Sequence, residues 1–191
     1  MTRFMTRQVF VRNGRRLLIK IIFLVIFICL ANISTFYGQE QPLKTGDTAP
    51  GIFLRNLNGQ DFFLSDYCGE PRQPWKNLER VPVVISFFTT WCAPCMQEIP
   101  ELQALEQQCN GKVKFFLIDV KEDHALVKDY CKQKGVSLPV LLDKYGVAAK
   151  NYGVEALPNL FVIDKKGVIS FVQSGYDNTM PVRLKEHLFQ E

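Results

Sequence analysis

The stretch Val83-Val84-Ile85-Ser86-Phe87-Phe88-Thr89-Thr90-Trp91-Cys92-Ala93-Pro94-Cys95 decides how the rest of the chain reads. A run of β-branched and aromatic residues, expected of a strand covered on both faces, leads directly into two cysteines separated by two residues. Met96 to Gln108 then reads as a helix, so the two thiols fall where a buried strand gives way to a helix N-terminus. Unpaired N–H groups and the positive dipole end at that place favour a thiolate over a thiol. A thiolate is the nucleophile of thiol–disulfide exchange, and a second cysteine two residues on can resolve the mixed disulfide that forms. The pattern therefore points to a redox-active dithiol rather than a structural bridge.

Working outward, the residues before this stretch divide in two. Residues 1–38 hold six of the 23 basic residues (Arg3, Arg7, Arg12, Arg15, Arg16, Lys20) and no acid, followed by an apolar run from Ile21 to Ala31. The remainder carries 17 basic residues against 19 acids, a net charge of −2, so the basic character belongs to the leader and nucleic-acid binding gains no support. A basic segment followed by an apolar run of this length is expected to be a secretory signal, with Gly38 before a cleavage point and Phe36 a poor fit to the other small position. A short uncleaved membrane anchor, starting at Leu17 with Lys20 snorkelling, is the alternative, and membrane contact is expected only there. Cys29 reads as an apolar filler of that run. The expected organisation is 1–38 as signal peptide or short anchor and 39–191 as one folded domain, exported to a compartment that permits disulfides.

Gln39 to Pro50 reads as a polar lead-in with a turn at Thr45–Pro50. Asn58-Gly59, between Ile52–Leu54 and Asp61–Leu64, is a hairpin signal. Ser65 to Arg80, with Cys68 and Trp75, reads as an irregular surface loop. Beyond the central stretch, Val113–Val120 reads as a buried strand, Glu122–Lys134 as a helix stopped by Gly135, Leu138–Leu142 as a short strand and Lys144–Tyr152 as a short helix. Pro100 within the first helix predicts a kink. Residues 156–172 read as a hairpin, and Met180–Gln190 as an amphipathic helix. Alternating strands and helices followed by a hairpin and a helix predict an α/β sandwich with a mixed central β-sheet flanked by helices and an N-terminal hairpin extension.

Trp91-Cys92-Ala93-Pro94-Cys95 after a buried strand, followed by Leu157-Pro158 before a hairpin, resembles the thioredoxin fold. The wider resemblance is to the TlpA/ResA-like (AhpC/TSA-related) envelope thiol–disulfide oxidoreductases. It rests on Gly46-Asp47-Thr48-Ala49-Pro50, Asn58-Gly59, Leu64-Ser65-Asp66, Trp91 to Cys95, Glu98-Ile99-Pro100, Leu157-Pro158 and Ile163-Asp164-Lys165-Lys166-Gly167, in the family's order. The resemblance implies a redox-active Cys92–Cys95 disulfide, with Cys92 as the exposed attacking thiol and Cys95 as the resolving one. Pro94 would tune the dithiol, and Trp91 and Leu157 would face the substrate. Pro158 would be a cis-proline whose loop holds an incoming chain. Glu98 would lie near the thiols and influence their ionisation. Cytosolic thioredoxins place a buried aspartate six residues before the first cysteine; Ser86 stands there, which leaves Glu98 as the candidate carboxylate. Cys68–Arg80 is longer than the short turn usual in that family.

The resemblance further implies a reductase of protein disulfides in the cell envelope, with apocytochrome c a common substrate class. It would act in a bacterial periplasm or on the outer face of the cytoplasmic membrane, be fed by a membrane thiol electron donor, and need no cofactor and no metal. A peroxiredoxin-like peroxidase is the rival, because Thr89-Thr90-Trp91-Cys92 contains Thr-x-x-Cys, although Ile85 stands where that class wants a proline. A copper-binding Cys-x-x-Cys carrier is the weaker rival. Cys109 and Cys131 read as small buried hydrophobes, Cys68 as a loop thiol open to pairing or glutathionylation, and His124 and His187 as solvated.

Overall fold

The computed structural model of the chain describes residues 42–71 and 79–190. The signal or anchor reading, Cys29 and Trp75 lie outside the described residues.

Among the described residues, seven strands and four α-helices follow one another as β1 (Phe53–Asn56), β2 (Asp61–Phe63), β3 (Val83–Phe88), α1 (Ala93–Cys109), β4 (Lys114–Val120), α2 (His124–Lys134), β5 (Val140–Asp143), α3 (Val147–Asn151), β6 (Asn159–Ile163), β7 (Ile169–Ser174) and α4 (Met180–Phe189). One mixed sheet runs in the order β2-β1-β5-β4-β3-β6-β7. Its centre is parallel, β3 on β4 and β4 on β5, because each connection is a crossover helix. The β1–β2 hairpin caps one side antiparallel to β5, and β6–β7 caps the other antiparallel to β3. The expected mixed sheet and N-terminal hairpin extension are both present.

Period-2 alternation sorts the central strands into two cores. Val84 and Phe88 of β3 join Phe115 and Leu117 of β4 in the layer packed under Ile99, Leu102 and Leu105 of α1 and Val127 of α2. Val83, Ile85 and Phe87 point the other way, toward Phe62, Phe116, Phe161 and Tyr152. Ser86 and Asp119 share the parity of the first set, so two polar side chains enter the layer beneath α1 and α2. Both are fully buried.

Two segments depart from the expectation. Residues 46–49 are more than a polar lead-in: Gly46 N–H donates to Ile169 O at 2.8 Å, Ile169 N–H to Asp47 O at 2.9 Å and Ala49 N–H to Gly167 O at 2.9 Å. A single bridge between Thr48 and Val168 has no hydrophobic period to announce it. The start of the Ser65–Arg80 loop is likewise built into the fold. A 3₁₀ turn at Leu64–Asp66 carries the chain inward, Gly69 N–H donates to Lys165 O at 3.0 Å, and Cys68 is only 2% exposed. The thiol read as a loop cysteine is thus a core residue, and burial pushes it up to about 12. α1 also begins three residues earlier than the periodicity suggested and runs unbroken through Pro100 to Cys109.

Candidate active site

The early start of α1 has a local cause. Cys92 is the N-cap, in extended conformation, and its Sγ accepts the Cys95 N–H at 3.2 Å, so the sulfur takes the place an N-cap oxygen usually holds. Pro94 occupies the first turn, where no backbone donor is required of it. Cys92 and Cys95 form a disulfide with their Cα atoms 5.3 Å apart.

The two sulfurs are not equivalent. Cys92 lines a cleft of about 570 Å³, whereas Cys95 lies behind it with no exposure. Cys92 itself is 4% exposed, so in the disulfide form the thiol expected to be exposed is reached only through that cleft. Trp91, at 73% exposure, stands at the cleft as an unburied aromatic face. Ala156 and Leu157 line the same space, and the Leu157–Pro158 peptide is cis. Chain segments more than sixty residues apart are brought together because β6, which follows Pro158, pairs directly with β3, which precedes Trp91. Lys121, Gly146, Lys150 and Glu155 complete the polar part of the lining.

Glu98 lies one turn beyond Cys95 on the same helical face and is 1% exposed. The Ser86 hydroxyl donates to its Oε2 at 2.5 Å, while Oε1 has no hydrogen-bond partner. Burial raises its carboxyl to about 7, and the Ser86 bond only partly offsets this. The helix thus brings a buried carboxyl into this layer, and Ser86, at the strand position six residues before Cys92, donates a hydrogen bond to it.

Three residues not anticipated as site residues hold the loop before Cys92. Thr90 donates its N–H to Glu122 Oε2 at 2.6 Å and its hydroxyl to Glu122 Oε1 at 2.7 Å. Glu122 N–H in turn donates to Asp119 Oδ1 at 3.3 Å, whose Oδ2 is buried without a partner. Burial first, and the neighbouring Glu122 second, raise the Asp119 carboxyl well above the usual carboxylate range. The one visible sign was a lone aspartate in the apolar run Val113–Val120.

The other thiols among the described residues are sealed. Cys109 and Cys131 are free and buried, and burial raises both, Cys131 to about 11. Neither His124, whose Nε2 lies 2.9 Å from Leu57 O, nor His187, whose Nε2 lies 2.9 Å from Ser170 Oγ, lines the cleft.

The sequence model of the family described as Redoxin matches residues 44–187. The chain is 32% identical over 158 residues to the thiol-disulfide oxidoreductase ResA of Bacillus thuringiensis subsp. konkukian, covering 81% of this chain and 85% of that protein. Among solved structures it resembles a protein assigned as the thiol:disulfide interchange protein DsbE from Chlorobium tepidum, with a TM-score of 0.68, 22% identity, and 78% of this chain and 97% of that chain covered. It also resembles StoA from Bacillus subtilis, with a TM-score of 0.57, 23% identity, and 73% and 96% of the two chains covered. At these identities the two structures speak for the thioredoxin-like fold.

Proposed function

This chain belongs to the Redoxin family as a ResA-like thiol–disulfide oxidoreductase, and from that premise we propose that it is an exported reductase of protein disulfides in the bacterial cell envelope. The observation that carries the reading is the asymmetry of the pair: one sulfur at a helix N-cap facing a cleft, the other enclosed behind it.

In the reduced enzyme, Cys92 is the thiolate stabilised by the α1 N-terminus. It attacks one sulfur of the substrate disulfide; a Cys92–substrate S–S bond forms, the substrate S–S bond breaks, and the departing sulfur takes a proton from water. Cys95 then loses its proton, for which the free Oε1 of ionised Glu98 is the acceptor, and attacks Cys92 Sγ. The Cys92–Cys95 bond forms and the second substrate sulfur leaves and is protonated. Two electrons pass from the dithiol to the substrate, and a membrane dithiol donor returns them in a second exchange. Trp91 and Leu157 border the substrate's path, and the Pro158 loop presents backbone groups to it. Apocytochrome c, with its paired cysteines, is a substrate of the right class.

Peroxidase chemistry has less support, because the Thr89 hydroxyl is buried and does not line the cleft.

The test is trapping. Reduced Cys95→Ser protein, mixed with a disulfide-linked peptide, should accumulate a mixed disulfide through Cys92 that mass spectrometry detects. Cys92→Ser protein should form none; a comparable yield from that variant would refute the assignment of attacking and resolving thiols.

A further inference from the structure

Lys121 has a backbone conformation that its residue type disfavours. It follows β4 with φ +65°, a left-handed value that strains a non-glycine residue. Its N–H donates to Asp143 O at 3.1 Å, and the same carbonyl accepts Gly146 N–H at 2.9 Å. One acceptor thus pins both the bend that carries the lysine and the turn it lies across. The side chain runs over Gly146: a Cβ at that glycine would sit 2.2 Å from Lys121 Cε and 3.2 Å from Nζ, so a side chain there would push the lysine stem off this path. Lys121 and Gly146 both line the cleft that Cys92 lines. Among the described residues no carboxylate lies within ion-pair distance of Lys121. Lys150 and Glu155 line the same cleft.

We infer that Lys121 is a specificity-determining residue, drawing an acidic side chain that flanks the reacting cysteine of the disulfide-bearing substrate. This rests on the reading above that the cleft receives the substrate. A strained backbone places a cation, with no carboxylate partner among the described residues, in the lining of the cleft that Cys92 shares, where it favours an anionic neighbour on the incoming chain. Lys121 acts in substrate capture; the chemistry of the sulfurs is the work of Cys92 and Cys95.

The experiment uses two glutathione-disulfide peptides identical except for two residues flanking the cysteine, Asp-Asp in one and Lys-Lys in the other. Their reduction is followed with wild type, Lys121→Gly and Lys121→Glu. Glycine accepts the positive φ, so that variant keeps its fold, and an unchanged or higher Tm verifies this. The wild type is expected to prefer the acidic peptide in kcat/KM. That preference should fall about fivefold in Lys121→Gly, through KM, and invert in Lys121→Glu, as expected for an exposed charge pair of about 1 kcal/mol. It should shrink in 1 M salt, while the redox potential of the pair stays put. Equal reduction of both peptides by the wild type, or one preference across all three forms, overturns the inference and leaves the reductase reading standing. A wild type that exchanges with neither peptide overturns both.

Discussion

Glu98 is a carboxyl that folding removes from water and gives a single hydrogen bond, from Ser86. Its ordinary value is 4.5 and in the folded protein it is raised to about 7, so the native state holds the proton more tightly than the unfolded chain. The stability this provides is complete below pH 4.5, declines as the pH climbs, and is gone above about pH 7. A difference of that size corresponds to about 3 kcal/mol across the window. Glu98→Gln, which cannot ionise, is therefore expected to flatten the fall in urea stability of the oxidised protein between those limits; a fall as steep as the wild type's would remove Glu98 as its source. The same substitution should shift the dithiol titration followed by pH-dependent alkylation, because the resolving thiol loses its proton acceptor. An identical alkylation curve would exclude that role. Part of this was legible: Glu98 is three residues from Cys95, and Ser86 marks a missing strand carboxylate. That the two side chains meet was not, since it depends on the face of β3 that packs under α1.

At the scale of elements, the dithiol is held where three backbone pieces converge: the β3–α1 loop, the bend after β4 and the loop before β6. Glu122 joins the first two through both of its oxygens to Thr90. Hydrogen bonds to a charged partner at a partly buried site contribute about 1.5–3 kcal/mol, so Glu122→Ala is expected to lower unfolding stability by about 2–3 kcal/mol. Urea unfolding measures it, and a loss under 0.5 kcal/mol would show that the contact holds nothing in place. The β6–β7 turn makes a second joint. Gly167 has φ +84°, and a Cβ there would lie 2.8 Å from Gly69 Cα, backbone against backbone. Gly167→Ala should therefore cost more than the ~1 kcal/mol of a strained φ alone, whereas Gly135→Ala, at φ +65° in open space, should cost about that much. Equal losses would mean the joint is loose. These joints escape a reading of the sequence because each is a contact between loops with no periodicity. Strands and helices were visible because one alternates and the other repeats.

For the whole molecule, the order of strands and helices and the family landmarks were enough to place the mixed sheet, the N-terminal hairpin and the convergence of Cys92 with the Leu157-Pro158 loop. The depth of the site was not. Cys92 and Cys68 lie deeper than a motif and a polar loop suggest, and the cleft that reaches Cys92 is assembled from separate segments, including residues 120–121, 146–150 and 154–157. The exported location is testable on its own: residues 1–41 fused to an alkaline phosphatase that matures only outside the cytoplasm should give an active enzyme, and an inactive, stable fusion would contradict export. The central claim is that the Cys92–Cys95 pair serves as a reductant. Its most direct test is the equilibrium of the purified wild-type protein with glutathione buffers, with the fraction oxidised read by thiol mass-tagging. The account predicts a potential at or below that of thioredoxin, about −270 mV, and a value near the strong oxidants, about −120 mV, would contradict it.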